Sequence, residues 1–335
     1  MIKSNFYIKT AKGVRCLLCP HECDLQEQQV GICMNRKNSG GEIVSLVYGK
    51  PCALNIDPIE KKPLFHFLPA STALSIGTLG CNMRCKNCQN YNISQKSPDK
   101  VDSFDLTPHQ IIEKAKKYNS KIIAYTYNEP ITFYEYMCDI AVLAHKAGIK
   151  NVMISNGYIN EKPLNDLLPF IDGANIDLKC FDEEIYKKLT GARLSPVLKT
   201  LEILCDSDVW LEITNLVIPD WTDDFAMINK MCLWLVDNGF AEVPIHFSRF
   251  FPVNKLKNQS YTAEIILMKA RDIALSAGIK YVYIGNISHR TIENTYCPKC
   301  NQLLIERVGF QVKQNNIIEG VCDFCGEKIS GVWKI

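Results

Sequence analysis

The sequence predicts an α/β fold, with a parallel sheet closed, or partly closed, as a barrel. Three observations point there. From Ala73 to about Gly285, short apolar runs alternate with longer amphipathic segments, and repeated strand–helix units argue for a parallel sheet. The first of these runs, Ala73-Leu74-Ser75-Ile76-Gly77, feeds a loop carrying Cys81, Cys85 and Cys88. Polar residues then recur at successive strand ends, the edge where such folds place their active sites.

Strands are expected over 73–78, 122–127, 151–155, 174–178, 209–218, 244–250 and 280–284. Thr107 followed by Pro108 reads as a helix start, because the threonine oxygen caps free amides and proline is pre-set for the first turn. A helix after 127 runs through Ala147 and is stopped by Gly148. Further helices are expected over 161–170, 182–189, 196–205, 223–238 and 263–277, the last ended by Gly278. Ahead of the alternating region, Glu42 to Tyr48 alternates like a strand. Residues 56–69 contain Pro58, Pro63 and Pro69, which forbid a helix interior or a central strand. That stretch reads as an extended connector carrying Glu60, Lys61, Lys62 and His66, either as a solvated linker or as part of a substrate mouth.

The chain has 335 residues and a net charge of +2, so no strongly basic face indicates nucleic acid. No run of about 18 apolar residues suggests a membrane span, and the N-terminus lacks the apolar core of a signal peptide. A cytoplasmic location is expected. Sixteen cysteines are many for that compartment, where clustered cysteines serve as metal ligands rather than disulfides. They fall into three groups: Cys16, Cys19, Cys23 and Cys33; Cys81, Cys85 and Cys88; and Cys297, Cys300, Cys322 and Cys325.

The central group is one ligand short. A cubic iron–sulfur cluster has four corners, usually held by four cysteines. Three thiolates on one loop hold three and leave the fourth iron open to a small molecule. The N-terminal group is too short for its own apolar core, so a metal would stabilise it. Zinc is favoured over an auxiliary cluster because the spacing is not that of a ferredoxin. The C-terminal group forms two CxxC knuckles with alternating strands between them, a zinc-ribbon pattern.

The strand ends add Tyr127-Asn128-Glu129-Pro130, Ser155-Asn156-Gly157, Asp177-Leu178-Lys179, then Glu212, Thr214 and Asn215, and His246-Phe247-Ser248-Arg249. Polar groups in apolar strands are costly without partners, so their recurrence suits a polar ligand in the mouth. With Asp57-Pro58-Ile59-Glu60-Lys61-Lys62-Pro63 and all three cysteine groups, the chain resembles the AmmeMemoRadiSam system radical S-adenosylmethionine (SAM) enzymes, relatives of pyruvate formate-lyase activating enzyme.

The resemblance implies a radical SAM partial (β/α)6 barrel over 70–290, an N-terminal four-cysteine metal-binding region and connector over 1–69, and a zinc-ribbon-like four-cysteine region over 291–335. It implies a [4Fe-4S] cluster on Cys81, Cys85 and Cys88 that reductively cleaves SAM to a 5′-deoxyadenosyl radical, which abstracts hydrogen from a substrate. It assigns SAM contacts to Asn87, Asn128, Glu129, Ser155, Asn156, Asp177, Lys179, Thr214 and His246. It also implies an electron donor such as flavodoxin or ferredoxin, and Memo-like and AMMECR-like protein partners. Departures are visible: Asn128 replaces a glycine, Ile154 replaces a cation-holding aspartate, Thr214 replaces an arginine, and Asn87 replaces an aromatic residue. Bland roles stay open for some of these residues. Glu129 could cap a helix, Asp177 and Lys179 could form an internal salt bridge, and His246 could be a satisfied core histidine. Two other functions compete: activation of a glycyl-radical enzyme partner, and a non-enzymatic metal and iron–sulfur binding module in an assembly.

Overall fold

The computed structural model describes residues 2–287 and 291–334; the expected boundary at 290/291 therefore touches residues outside the described set. Eight strands form one central sheet in which spatial order follows chain order. They are β1 (Ala53–Pro58), β2 (Thr72–Gly77), β3 (Ile122–Tyr125), β4 (Lys150–Ser155), β5 (Gly173–Asp177), β6 (Trp210–Val217), β7 (Ile245–Arg249) and β8 (Val282–Gly285). β1 pairs antiparallel with β2; every later neighbouring pair is parallel.

The first of these strands corrects the expectation of a connector. Residues 53–58 make an edge strand, where Pro58 at its end costs no ladder bond to a second neighbour. A short 3-10 turn, Ile59–Lys61, follows it.

The helices fall between the strands, as parallel crossovers require. α1 (Pro108–Lys117) starts on Thr107, whose hydroxyl accepts from Gln110 N while the Gln110 side chain returns to Thr107 N, the reciprocal capping box. α2 (Tyr134–Lys146) is preceded by the 3-10 turn Pro130–Phe133, itself capped by Glu129. α3 (Glu161–Leu167), α4 (Glu183–Thr190), α5 (Ser195–Cys205), α6 (Phe225–Asp237) and α7 (Glu264–Ala277) follow, and a single helical turn, Tyr91–Ser94, lies just after the cysteine loop. Gly278 closes α7 at φ 110°, a backbone state that glycine adopts at little cost.

The inner parallel strands are covered on both faces: β3 has no exposed residue, as expected of a covered parallel sheet, whereas the edge strand β1 exposes Asn55 and Ile56. Ile76, Ile123, Met153, Ile176, Ile213 and Ile284 join helix residues such as Ile140, Leu201 and Leu267 in one core.

Two small regions flank the sheet. The N-terminal one consists of three-stranded antiparallel pieces tied down by Arg36, whose guanidinium meets Glu135 of α2 at 2.7 and 2.9 Å. The C-terminal one contains the hairpin Leu303–Val308 and Gln311–Asn315. It packs on Phe65, Tyr281 and Tyr283 through Leu304, Ile305 and Ile329. Arg307 is buried at this seam, donating to Phe65 O at 2.7 Å with its guanidinium 4.3 Å from the Phe65 ring.

Candidate active site

β2 delivers the cysteine loop to the carboxyl end of the sheet. Gly80, at φ 85°, is required there, because a Cβ would lie inside 3.0 Å of Asn35 and of the Cys33 carbonyl. The loop is pinned on its far side, where Arg84 N and Lys86 N donate to Thr190 O and Leu189 O at 2.7 and 2.9 Å.

Cys81, Cys85 and Cys88 line one cavity of about 370 Å³. Asn87 from the loop, Asn128 and Glu129 after β3, Ser155 and Asn156 at the end of β4, and Ile154 line it too. So do Asp177 and Lys179 after β5, and Thr214 of β6. The fold thus gathers these expected site residues from five chain segments at one strand-end mouth.

Glu129 is buried, at 3% exposure, and its carboxylate is fully engaged. One carboxylate oxygen accepts from Ser155 Oγ at 2.7 Å and Ile131 N at 3.1 Å; the other accepts from Asn156 N at 2.8 Å. It therefore caps the turn and faces the cavity at once. Burial pushes its carboxyl up to about 7, despite the opposing pull of those hydrogen bonds.

Asn156 also donates to Asn82 Oδ1 at 2.9 Å and approaches Cys81 Sγ at 3.7 Å. Lys179 pairs with Asp177 at 3.0 Å, so the internal ion pair and the cavity position coexist. The Thr214 hydroxyl donates to Asn175 Oδ1 at 2.8 Å.

His246 is placed differently from the other expected SAM contacts. It faces an adjoining cavity of about 670 Å³, which shares Lys61, Gln89, Thr214, Ser248 and Asn286 with the first. Its Nε2 lies 2.6 Å from Glu212 Oε2, and its ring stacks on Tyr283 at 5.2 Å. One of its two ring nitrogens thus has its partner inside the protein.

Several cavity residues went unassigned in the sequence reading. Asn286 follows β8, so the strand-end rule carried to the last strand would have reached it. Ser248 lies on a strand already singled out. Tyr127 donates to Asp57 at 2.7 Å, and Asp57 also takes Lys61 and Lys62 at 2.9 and 2.7 Å. That cluster aims the Asp57–Lys62 segment into the mouth, and no short-range signal links Asp57 to Tyr127.

The cavity suits an iron–sulfur cluster and a polar cosubstrate. The three thiols point into it without collapsing onto one ion: among the described residues, only the C-terminal quartet has three or more ligand atoms within 4.8 Å of one another. Asn87 Oδ1 and Asn128 Oδ1 are buried without hydrogen-bond partners, an unmet demand that a bound polar molecule satisfies. In the C-terminal quartet, Cys297 and Cys325 sulfurs are 3.6 Å apart and Cys300 and Cys322 sulfurs 3.7 Å. A tetrahedral ion with metal–sulfur bonds of about 2.3 Å puts its ligands about 3.8 Å apart.

A parallel α/β sheet with three cysteines and an acidic side chain at one strand-end mouth defines a class of cluster-binding, SAM-binding proteins. The Radical SAM superfamily model matches residues 75–232, and the chain belongs to that superfamily, whose members use a [4Fe-4S] cluster and SAM. It is 45% identical over 332 residues to the uncharacterized protein MJ0808 of Methanocaldococcus jannaschii, covering 98% of this chain and 99% of that one. It is 24% identical over 171 residues to the pyruvate formate-lyase 1-activating enzyme of Escherichia coli, covering 49% of this chain and 68% of that one. The fold is similar to that of Streptococcus suis SuiB solved with the precursor peptide SuiA, with a TM-score of 0.51 and 13% identity, covering 68% and 51% of the two chains. No described helix is long and apolar enough to cross a membrane.

Proposed function

We propose that this protein is a radical SAM enzyme whose cluster is held by Cys81, Cys85 and Cys88, with SAM in the same cavity. The observation that carries the reading is the convergence of those cysteines with Glu129 on one cavity of about 370 Å³ at the strand ends. When bound, the cluster supplies the electron that splits SAM into methionine and a 5′-deoxyadenosyl radical able to take hydrogen from a substrate.

The chain's own part is binding and exclusion of water. Glu129 accepts from the SAM amino group, with Ser155 and the Asn156 amide fixing the carboxylate. Asn128 Oδ1 and Asn87 Oδ1 supply the unused acceptors. Asp177 and Lys179 hold opposite charges at the rim. The substrate enters through the second cavity, where Glu60, Lys61 and Glu293 face the hairpin tip Val308 to Phe310. In this reading the sheet is a partial (β/α)6-type barrel, and the C-terminal quartet is a zinc-ribbon-like site whose hairpin covers the mouth.

A second reading is activation of a glycyl-radical enzyme, favoured by the relationship to the pyruvate formate-lyase activator. It requires a partner's glycine segment in the second cavity. Anaerobic reconstitution with dithionite and SAM tests the shared chemistry. 5′-Deoxyadenosine is expected from the intact protein and none from Cys85→Ala; an intact cluster yielding no 5′-deoxyadenosine refutes the assignment. Dependence of product yield on a candidate glycyl-radical protein separates the second reading from a small-molecule substrate.

A further inference from the structure

The cavity of about 670 Å³ beside the cysteine mouth holds a carboxylate with one oxygen unused. Glu60 lines that cavity and is 1% exposed. Its Oε1 accepts from Ala70 N at 2.8 Å. Its Oε2 is buried and has no hydrogen-bond partner among the described residues. An unpaired buried polar atom is costly, and a charged one more so. A ligand that brings a donor to Oε2 removes that cost.

The rest of the lining selects the charge of that donor. Glu293 brings a second carboxyl to the same cavity. Lys61 is the only lysine or arginine among the described lining residues, and its ammonium already pairs with Asp57 at 2.9 Å. His246 is engaged by Glu212. Arg307 lies outside the lining, and its guanidinium is committed to Phe65 O, Glu293 O and Thr295 Oγ1 at 2.7, 3.0 and 2.9 Å. Its charge pulls the Glu60 and Glu293 carboxyls down, but burial outweighs that pull and holds both above the ordinary range. A cation arriving between them reverses the effect of burial. Phe65, Tyr283 and Phe310 add aromatic rings to the wall, which also attract a cation.

We propose that Glu60 and Glu293 form the recognition site for a protonated amine on the substrate, so that the substrate class is amine-bearing and cationic. The site is joined to the chemistry. The two cavities share Lys61, Gln89, Thr214, Ser248 and Asn286, and Gln89 directly follows Cys88 of the cysteine loop. A molecule held by its amine at Glu60 extends across these residues toward the cysteines. The assignment rests on the reading of the second cavity as the place where substrate enters.

The test uses the cluster-loaded full chain, held anaerobically at neutral pH, and three matched probes: para-fluorophenethylamine, the corresponding alcohol and the corresponding propionate. Fluorine NMR titration reads the affinity of each. The ammonium probe is expected to bind about 10-fold more tightly than the other two, the scale of a charge-assisted hydrogen bond. Glu60→Gln keeps an acceptor for Ala70 N and is expected to remove most of that preference; Glu293→Gln is expected to remove part of it. Glu293 is only partly buried, so its variant reports even where Glu60→Gln fails to fold. Displacement of the probe by a capped lysine peptide places the amine on a polypeptide, whereas displacement by butylamine alone places it on a small molecule. Equal binding of the three probes, or a preference that survives both substitutions, overturns the proposal. 5′-Deoxyadenosine formation from SAM is measured separately. Charge preference without that product defeats the radical reading and leaves the amine site standing, and product without the preference defeats the amine site alone.

Discussion

Glu212 of β6 and His246 of β7 form a buried pair, with Glu212 Oε2 and His246 Nε2 2.6 Å apart. The same carboxylate accepts from Phe65 N, His66 N and Trp210 Nε1 at 3.0, 2.8 and 3.1 Å. One side chain thus ties the connector after β1 to the far half of the sheet. His66 extends the tie, its Nδ1 lying 2.7 Å from Ser330 O and its Nε2 2.6 Å from Tyr283 Oη.

Removing that charge is expected to be costly. Burial opposes the Glu212 charge, but the His246 hydrogen bond and charge outweigh it and hold the carboxyl below its usual range. Its stabilising contribution is therefore present above pH 4.5, the ordinary value, and is lost as pH falls through the depressed folded value. Glu212→Gln should lower stability at neutral pH by about 3 kcal/mol, the loss seen when one partner of a buried pair is removed. It should also shed that part of the acid sensitivity. Urea unfolding at pH 7 and pH 4 measures both; an unchanged midpoint at pH 7 would show the pair to be energetically idle.

Glu129 predicts the opposite sign. Its folded pKa of about 7 stands above the ordinary 4.5, so the proton is held more tightly in the folded state. Stability is fully present below pH 4.5 and declines as pH rises to about 7. If the carboxylate receives the SAM amino group, acidification must weaken binding. SAM affinity of the cluster-loaded protein is expected to fall about 10-fold from pH 8 to pH 6, the protonation ratio for a group at that value. Glu129→Gln should bind weakly at both. Equilibrium dialysis under anaerobic conditions reads this, and a wild-type affinity flat across that interval excludes the Glu129 contact.

Arg36 predicts local rather than global loosening. Its guanidinium is 2% exposed and shared between Glu135 and Ser4. Arg36→Ala leaves Glu135 buried without its cation, at a cost of about 3 kcal/mol. Lysine should restore only part, because it cannot make the two-pronged contact. Hydrogen exchange should rise first in residues 4–45, before the central strands respond. Equal acceleration in β3 and β4 would contradict a local anchor.

The C-terminal quartet predicts a stoichiometric ion. Cys300→Ala in the full chain should lose about one zinc ion per molecule and lower the thermal midpoint by about 5 °C or more. Leu304 and Ile305 would lose their hold on Phe65 and Tyr283. Zinc content unchanged by the substitution would remove the assignment.

Much of this protein was determined by interactions that close over short stretches of chain. The Thr107–Gln110 capping box, the glycine stop of α7 and the alternation of apolar strands with amphipathic helices depend on neighbours a few residues away, so spacing records them. The Cys81, Cys85, Cys88 spacing is likewise local, and it carried the family assignment. What tertiary structure decided lies across long loops. Glu129 meets Ser155 and Asn156, Glu212 meets His246 and the 65–66 backbone, and Asp57 meets Tyr127. None of these pairings has a sequence period. They exist because parallel strands bring distant carboxyl ends side by side. The edge strand 53–58 was hidden for a related reason: proline is excluded from a strand's interior ladder but permitted at an open edge, and only the assembled sheet shows where the edge falls. The cysteine groups divide the same way. Sequence counted the thiols, while the fold decided which of them face one cavity and which converge within 4.8 Å of one another.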